Sequence, residues 1–196
     1  AHLEEVSRGR GHRRNRLLEP LAREVLAFAA ELRLPKALPE RLVHGDPKIS
    51  NILFDQASGE ARCLVDLDTL ARMPLAVELG DALRSWCAPA GEEASEPIDV
   101  QYFGAALDGY AQSAAPAEWL DVAEWQAVVP FTEGIAVELA ARFCADAFEE
   151  RYFGWDAERF DSASEHNEVR ARAQLALARS IRERRDSLEH IVEERW

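Results

Sequence analysis

Residues 44–51 read His44-Gly45-Asp46-Pro47-Lys48-Ile49-Ser50-Asn51, and Leu64-Val65-Asp66-Leu67-Asp68 follows a short interval later. An aspartate, an asparagine and a second aspartate are thereby set around two short apolar runs. Those residue types in that order suit phosphoryl transfer. One carboxylate takes the proton of an attacking hydroxyl, while an amide and a second carboxylate hold Mg²⁺ on nucleotide phosphates. Asp46 and Asn51 share one loop, and a loop beside a hairpin can aim both at one point. A regular helix would set them on different faces. A hairpin turning through residues 55–60 would carry Asp66, expected on its second strand, back toward Asn51. Oxygen donors gathered this way fit a hard cation that keeps several waters and bridges phosphates. No Cys-x-x-Cys or Cys/His cluster offers a softer site.

The elements that must position these residues are mostly helices. Leu18, Leu21, Val25, Phe28 and Leu32 mark one face of a helix over 16–34, closed by Pro35 and Pro39. A short strand runs from Leu42 into the Asp46 loop. Ile52-Leu53-Phe54 and 62–67 are expected to pair as a hairpin, with Asp66 on the second strand. Helices are then expected at 75–86, 98–113 (Tyr102, Ala106, Leu107 and Tyr110 inward), 117–128, 131–148 and 168–192. Pro130 is read as an interruption and 152–167 as an irregular loop. The predicted class is α+β, mostly α: residues 1–15 as a flexible lead-in, then one unit over 16–196 in which a small β-hairpin carries the polar cluster.

The chain has 196 residues, enough for one substantial core. Its 47% hydrophobic and 30% charged content fits a globular protein. A net charge of −13 argues against nucleic acid and anionic membranes as partners, since both call for a basic surface. Cys63, Cys87 and Cys144 are odd in number and far apart, which reads as reduced, apolar cysteines of a cytoplasmic protein.

His44-Gly45-Asp46 with Asn51 and a following Asp-bearing strand resembles the aminoglycoside phosphotransferase and choline kinase branch of the protein-kinase-like fold. Val65-Asp66-Leu67-Asp68-Thr69 followed by Glu78-Leu79-Gly80-Asp81 is similar to the N-acetylhexosamine 1-kinase-like and homoserine kinase-like members. The resemblance covers residues 16–150, with specific motifs in 44–84. It implies ATP and Mg²⁺ as cofactors and a small-molecule hydroxyl as acceptor, most simply on a sugar or amino sugar. It makes Asp46 the catalytic base, Asn51 and Asp66 the metal ligands, and Lys48 a cation near the transferred phosphoryl. Asp68 would assist metal or substrate. His44 would be structural, and Asp81 would hold the catalytic-loop backbone. No Gly-x-Gly-x-x-Gly precedes the motif, so the chain reads as the C-terminal lobe of such an enzyme, with its nucleotide-binding lobe absent and little activity alone.

Two other functions compete. One is phosphorylation of an aminoglycoside, which the acidic charge would suit. The other is a non-catalytic binding module, which would have no physical need to keep Asp46, Asn51 and Asp66 together. Trp86 and Trp125 are expected in the core. Glu92, Glu93 and Glu96 read as a solvated run in a loop that could also meet the acceptor. Glu133 and Glu138 could border the acceptor pocket. His2, His12, His166 and His190 give no catalytic signal.

Overall fold

The computed structural model describes residues 1–8, 13–114 and 120–195. Eight helices and four short strands occur among them: α1 (His2–Ser7), α2 (Asn15–Glu31), β1 (Glu40–Val43), β2 (Ile52–Phe54), β3 (Ala61–Leu64), β4 (Ala71–Pro74), α3 (Leu75–Trp86), α4 (Val100–Ala114), α5 (Val122–Gln126), α6 (Val128–Glu149), α7 (Ala163–Glu183) and α8 (Arg185–Glu193). The fold is mostly helical with a small antiparallel β region.

Helix α6 is the axis. Ala136, Val137, Ala145 and Asp146 are all buried though they point in different directions round the helix, so it meets protein on most of its circumference. α7, α3, α2 and α1 pack around it. Gly80 sets the α3–α6 approach: a Cβ there would lie 2.9 Å from the Phe131 backbone. One core cluster joins Leu79, Leu83, Phe103, Trp125, Ile181 and Leu188. A second joins Leu3, Leu21, Val25, Phe143 and Leu175. Trp125 is core, as its apolar helix face implied, and its Nε1–H donates to the Val192 carbonyl at 2.8 Å.

The sheets are two pairs. β2 and β3 form the expected hairpin, Ile52 opposite Leu64. β1 pairs with β4, Glu40 opposite Pro74 and Val43 opposite Ala71. The sequence reading has no strand at β4, because Ala71-Arg72-Met73-Pro74 lacks β-branched residues and ends in proline. This second pair is what fixes the chain on both sides of the polar cluster. Arg41 of β1 reaches the fully buried Glu124 of α5, Nε to Oε1 at 2.7 Å, and so ties the sheet to the helices.

Several expectations are corrected. Residues 1–15 are not simply a lead-in: α1 is helical, with Leu3 buried. Tyr102 faces out, because Phe103 takes the core position and one residue turns a helix face by about 100°. Pro130 does not interrupt α6. It sits in the first turn, where a missing N–H has no partner to lose. Helix α7 begins inside the expected loop, capped by Ser162 Oγ accepting from the Glu165 N–H, and the terminal helix breaks at Arg184. The start of α7 has no apolar stripe because most of its buried residues are polar. His166 bonds Glu93 and Asn167 bonds Asp146. Residues 117–119 of the expected 117–128 helix lie outside the described residues, and its later part forms α5.

The three cysteines are free, with Cys63 exposed and Cys87 and Cys144 buried. Burial pushes the Cys87 and Cys144 thiols from 9.0 up to about 12. A thiol reagent at pH 8 is therefore expected to modify one group rapidly in the native chain and three after unfolding. Above pH 9.0 the unfolded chain releases thiol protons that the folded chain keeps until about 12, so stability should fall as pH rises through that window. A native chain with two or three fast thiols would contradict this packing.

Candidate active site

The Asp46 loop leaves β1 at the buried Val43 and is held by α3 at both ends. At its start, Glu78 accepts two backbone N–H bonds, from His44 at 3.1 Å and from Gly45 at 2.8 Å. At its far side, Trp86 Nε1–H donates to the Pro47 carbonyl at 2.8 Å, and Ile49 N–H donates to Ser85 Oγ at 3.3 Å. Trp86→Phe should therefore lower stability by about 1–2 kcal/mol, measured by urea unfolding, since it strands the Pro47 carbonyl. An unchanged midpoint would remove Trp86 from this role.

Gly45 has φ +84, and a Cβ there would lie 2.4 Å from the Thr69 carbonyl oxygen. Only glycine lets the Asp46 loop and the 67–69 turn approach this closely. Thr69 Oγ1 closes the contact by donating to the His44 carbonyl at 2.8 Å.

His44 is a strut. Its Nδ1 accepts from the Asp46 N–H at 3.3 Å, so its Nε2 carries the proton and donates to the Val65 carbonyl at 2.9 Å. One imidazole thus links Asp46 to the residue before Asp66. Val65 N–H donates to the Asn51 carbonyl at 2.9 Å, so Asn51 lies beside the residue that precedes Asp66.

Asp46 Oδ2 accepts from Lys48 Nζ at 2.6 Å and from Asn51 Nδ2 at 3.2 Å. Asn51 Nδ2 also donates to the Asp46 carbonyl at 2.9 Å. The hydrogen bond to Asp46 is the main reason the Lys48 ammonium is held above the ordinary lysine value, with the nearby Asp66 and Glu92 carboxylates adding to it. Both donors of Asn51 Nδ2 are spent, so Oδ1 is the atom left for a ligand. Likewise Asp46 Oδ1 accepts no hydrogen bond from the described residues.

Asp66 is not on the hairpin strand. β3 ends at Leu64, and Asp66 takes a left-handed conformation, φ 68 and ψ 62, where the chain swings into the 67–69 turn. Its exposed carboxylate makes no hydrogen bond or ion pair with the described residues. Asp68 is exposed on the turn and makes no hydrogen bond to Asp46, Lys48 or Asn51. No three His, Cys, Asp or Glu side chains gather as a metal site among the described residues. Asn51 Oδ1 and the Asp66 carboxylate are both hard oxygen donors. Donors of that kind are the ones Mg²⁺ takes alongside water and phosphate oxygens.

Glu78 is the residue the sequence reading missed. Asp81 was expected to hold the loop backbone, but its Oδ1 accepts from Arg84 Nε at 2.9 Å, and Glu78 one turn earlier does the holding. Both lie on the same face of α3, so sequence spacing alone does not separate them. A carboxylate in the first turn of the helix leaving β4 was the available signal.

A cavity of about 430 Å³ opens on Asp46 and Lys48. Asp81, Glu92, Glu138, Arg142, Tyr152 and Phe153 are among the residues that line it. Partial burial pushes the Glu138 carboxyl above the usual carboxylate range; Asp81 adds repulsion, while Arg142 and Arg84 oppose it. Asp146 builds the aromatic wall, accepting N–H bonds from Arg151, Tyr152 and Phe153 at 2.8–2.9 Å. Glu133 is elsewhere: fully buried, it pairs with Arg182 and Arg185. The 92–96 run is not simply solvated either. Glu93 bonds the buried His166 and Arg159, both at 2.7 Å.

A model of the phosphotransferase enzyme family matches residues 2–116, more than half of the chain and the whole stretch from His44 to Glu92. The chain belongs to the phosphotransferase enzyme family. In this phosphotransferase the α3-held loop and hairpin fall inside the matched residues. Glu138, Arg142 and the Tyr152–Phe153 wall fall outside them. No helix among the described residues is long and apolar enough to cross a membrane.

Proposed function

We propose that this phosphotransferase moves the γ-phosphoryl of ATP to a hydroxyl of a small molecule, a sugar or amino sugar. The observation that carries the reading is the Asp46 carboxylate. Its Oδ2 is fixed by Lys48 and Asn51 while its Oδ1 is left to an acceptor. In this mechanism Asp46 Oδ1 accepts the acceptor hydroxyl proton and orients the oxygen for attack. Lys48 holds the carboxylate in place and keeps its positive charge beside the transferred group. Asn51 Oδ1 and Asp66 would hold Mg²⁺, which when bound offsets negative charge on the phosphates. Glu78, His44 and Gly45 keep the loop in shape without touching the reacting atoms.

The adenine-gripping elements belong, in this reading, to a separate lobe. Leu42, Leu53, Phe54, Leu67 and Leu70 support it: all are exposed on the β region, Leu42 by 71%. The 196-residue chain alone is then expected to be inactive or nearly so. Free cysteines fit a cytoplasmic setting.

The test is a panel of sugars, amino sugars, choline and aminoglycosides, followed by ADP release. It is run with the chain alone and with a form extended by the coding sequence upstream of Ala1. Acceptor-dependent ADP release by the extended form supports the reading. Release with no acceptor, or none with any member of the panel, contradicts it. Equal release by the chain alone contradicts the separate-lobe reading.

A further inference from the structure

Beside the Asp46 cavity lies a second, of about 500 Å³, lined by Lys48, Ser50, Arg84, Trp86, Glu92 and Gln174 among others. Lys48, Arg84 and Glu92 line both cavities and form the partition between them, Lys48 paired with Asp46 and Arg84 with Glu92. Arg84 is only 4% exposed and is already neutralised, 2.8 Å from Asp81 and 3.5 Å from Glu92. The feature that requires explanation is Gln174. It comes from α7, is 2% exposed, and its Oε1 is buried with no hydrogen-bond partner.

An orphaned buried amide oxygen destabilises a fold, so native structures rarely keep one that serves nothing. Gln174 is not sealed in the core, because it lines this cavity. The last torsion of glutamine is broad, so either end of the amide can turn toward a ligand. What the oxygen lacks is a donor. The partition charges are mutually satisfied, so a neutral donor fits better than a second cation. Trp86, Ala88 and Pro89 supply an apolar wall, and the Trp86 ring is held by its bond to Pro47. Ser50 adds a hydroxyl. A hydroxylated ring is the ligand that uses all of these together.

We propose that this cavity is a subsite for the non-reacting part of the acceptor, and that Gln174 selects an acceptor carrying a second, neutral hydroxyl or amide N–H. This rests on the phosphotransferase reading for the word acceptor, but the binding claim stands apart from it. A sugar whose reacting hydroxyl reaches Asp46 would pass the Lys48–Arg84–Glu92 partition and place a remote donor on Gln174. Gln174 is then a specificity residue, with no part in the proton transfer.

The test is binding without nucleotide, using N-acetylglucosamine, glucose and choline as probes in saturation-transfer NMR. The sugars should bind the 196-residue chain and choline should not. Gln174→Met, which keeps the volume, should weaken sugar binding about three- to tenfold. It should also raise the melting temperature, because an unsatisfied buried polar group has been removed. A glutamine that only supported the fold would lower it. The assigned Gln174 side-chain amide resonance of the wild-type chain should shift on adding sugar, which gives a readout that needs no variant. Sugars that leave that resonance still, or that bind Gln174→Met as tightly as wild type, would overturn the proposal. If the extended form transfers no phosphate yet sugar binding depends on Gln174, the transfer reading fails and the subsite survives. If transfer occurs but Gln174→Met leaves the sugar KM unchanged, the subsite alone fails.

Discussion

Asp46→Asn is expected to lower turnover of the extended protein about a thousandfold, the middle of the range for losing a positioned general base. The variant keeps the size and shape of the side chain. Its amide oxygen can still accept from Lys48, which sits 2.6 Å from Asp46 Oδ2 in the wild type. The loop bonds made by Glu78, Trp86 and His44 do not involve the carboxylate at all. Fold and melting temperature should therefore be nearly unchanged, and the acceptor KM should move little. The defect should sit in kcat. If kcat falls only severalfold, Asp46 orients the acceptor without taking its proton. If the melting temperature drops sharply as well, the carboxylate is holding the loop and the assignment of roles is wrong.

Glu78→Ala is expected to unfold more easily, by about 2–4 kcal/mol in urea titrations. Two backbone N–H groups lose a charged acceptor at once, and His44 is only 4% exposed, so water cannot readily replace it. Activity should fall too, through a displaced Asp46 loop. Glu78→Gln separates geometry from charge. Its amide oxygen can serve one N–H while its NH₂ faces the other, so about half of the stability loss should return. A similar experiment on Asp81 should leave the loop intact, because Asp81 is bonded to Arg84. Should Asp81→Ala prove the more damaging to the loop, the division of labour on α3 would be reversed.

The Asp46 loop was legible because its residues sit close in sequence and their types are chemically specific. Asp46, Lys48 and Asn51 interact over at most five positions, and the hairpin that follows is marked by its turn. Asp55 there accepts N–H bonds from Ala57 and Ser58 at 3.0 and 2.9 Å. Asp66 was harder. Its identity stood out, but its left-handed backbone depends on Val65 reaching Asn51, and no local pattern encodes that contact. β4 was invisible because its pairing with β1 bridges a long loop and its own four residues are poor strand formers. Glu78 was passed over for Asp81 because two carboxylates one helical turn apart look alike until the loop is in place. The start of α7 hid for another reason: hydrophobic periodicity cannot report a helix face whose buried residues are His166, Asn167 and Glu168. The cavities beside Asp46 are assembled largely from α3, α6, α7 and the 150–153 turn, so their shape is a product of packing.

The most direct test follows the γ-phosphorus of ATP by ³¹P NMR in the extended protein, with a reactive sugar as acceptor. A sugar phosphomonoester resonance should grow as ATP is consumed in the wild type and be lost in Asp46→Asn. Inorganic phosphate in place of the phosphomonoester, or the same product at the same rate from Asp46→Asn, would contradict the proposed transfer.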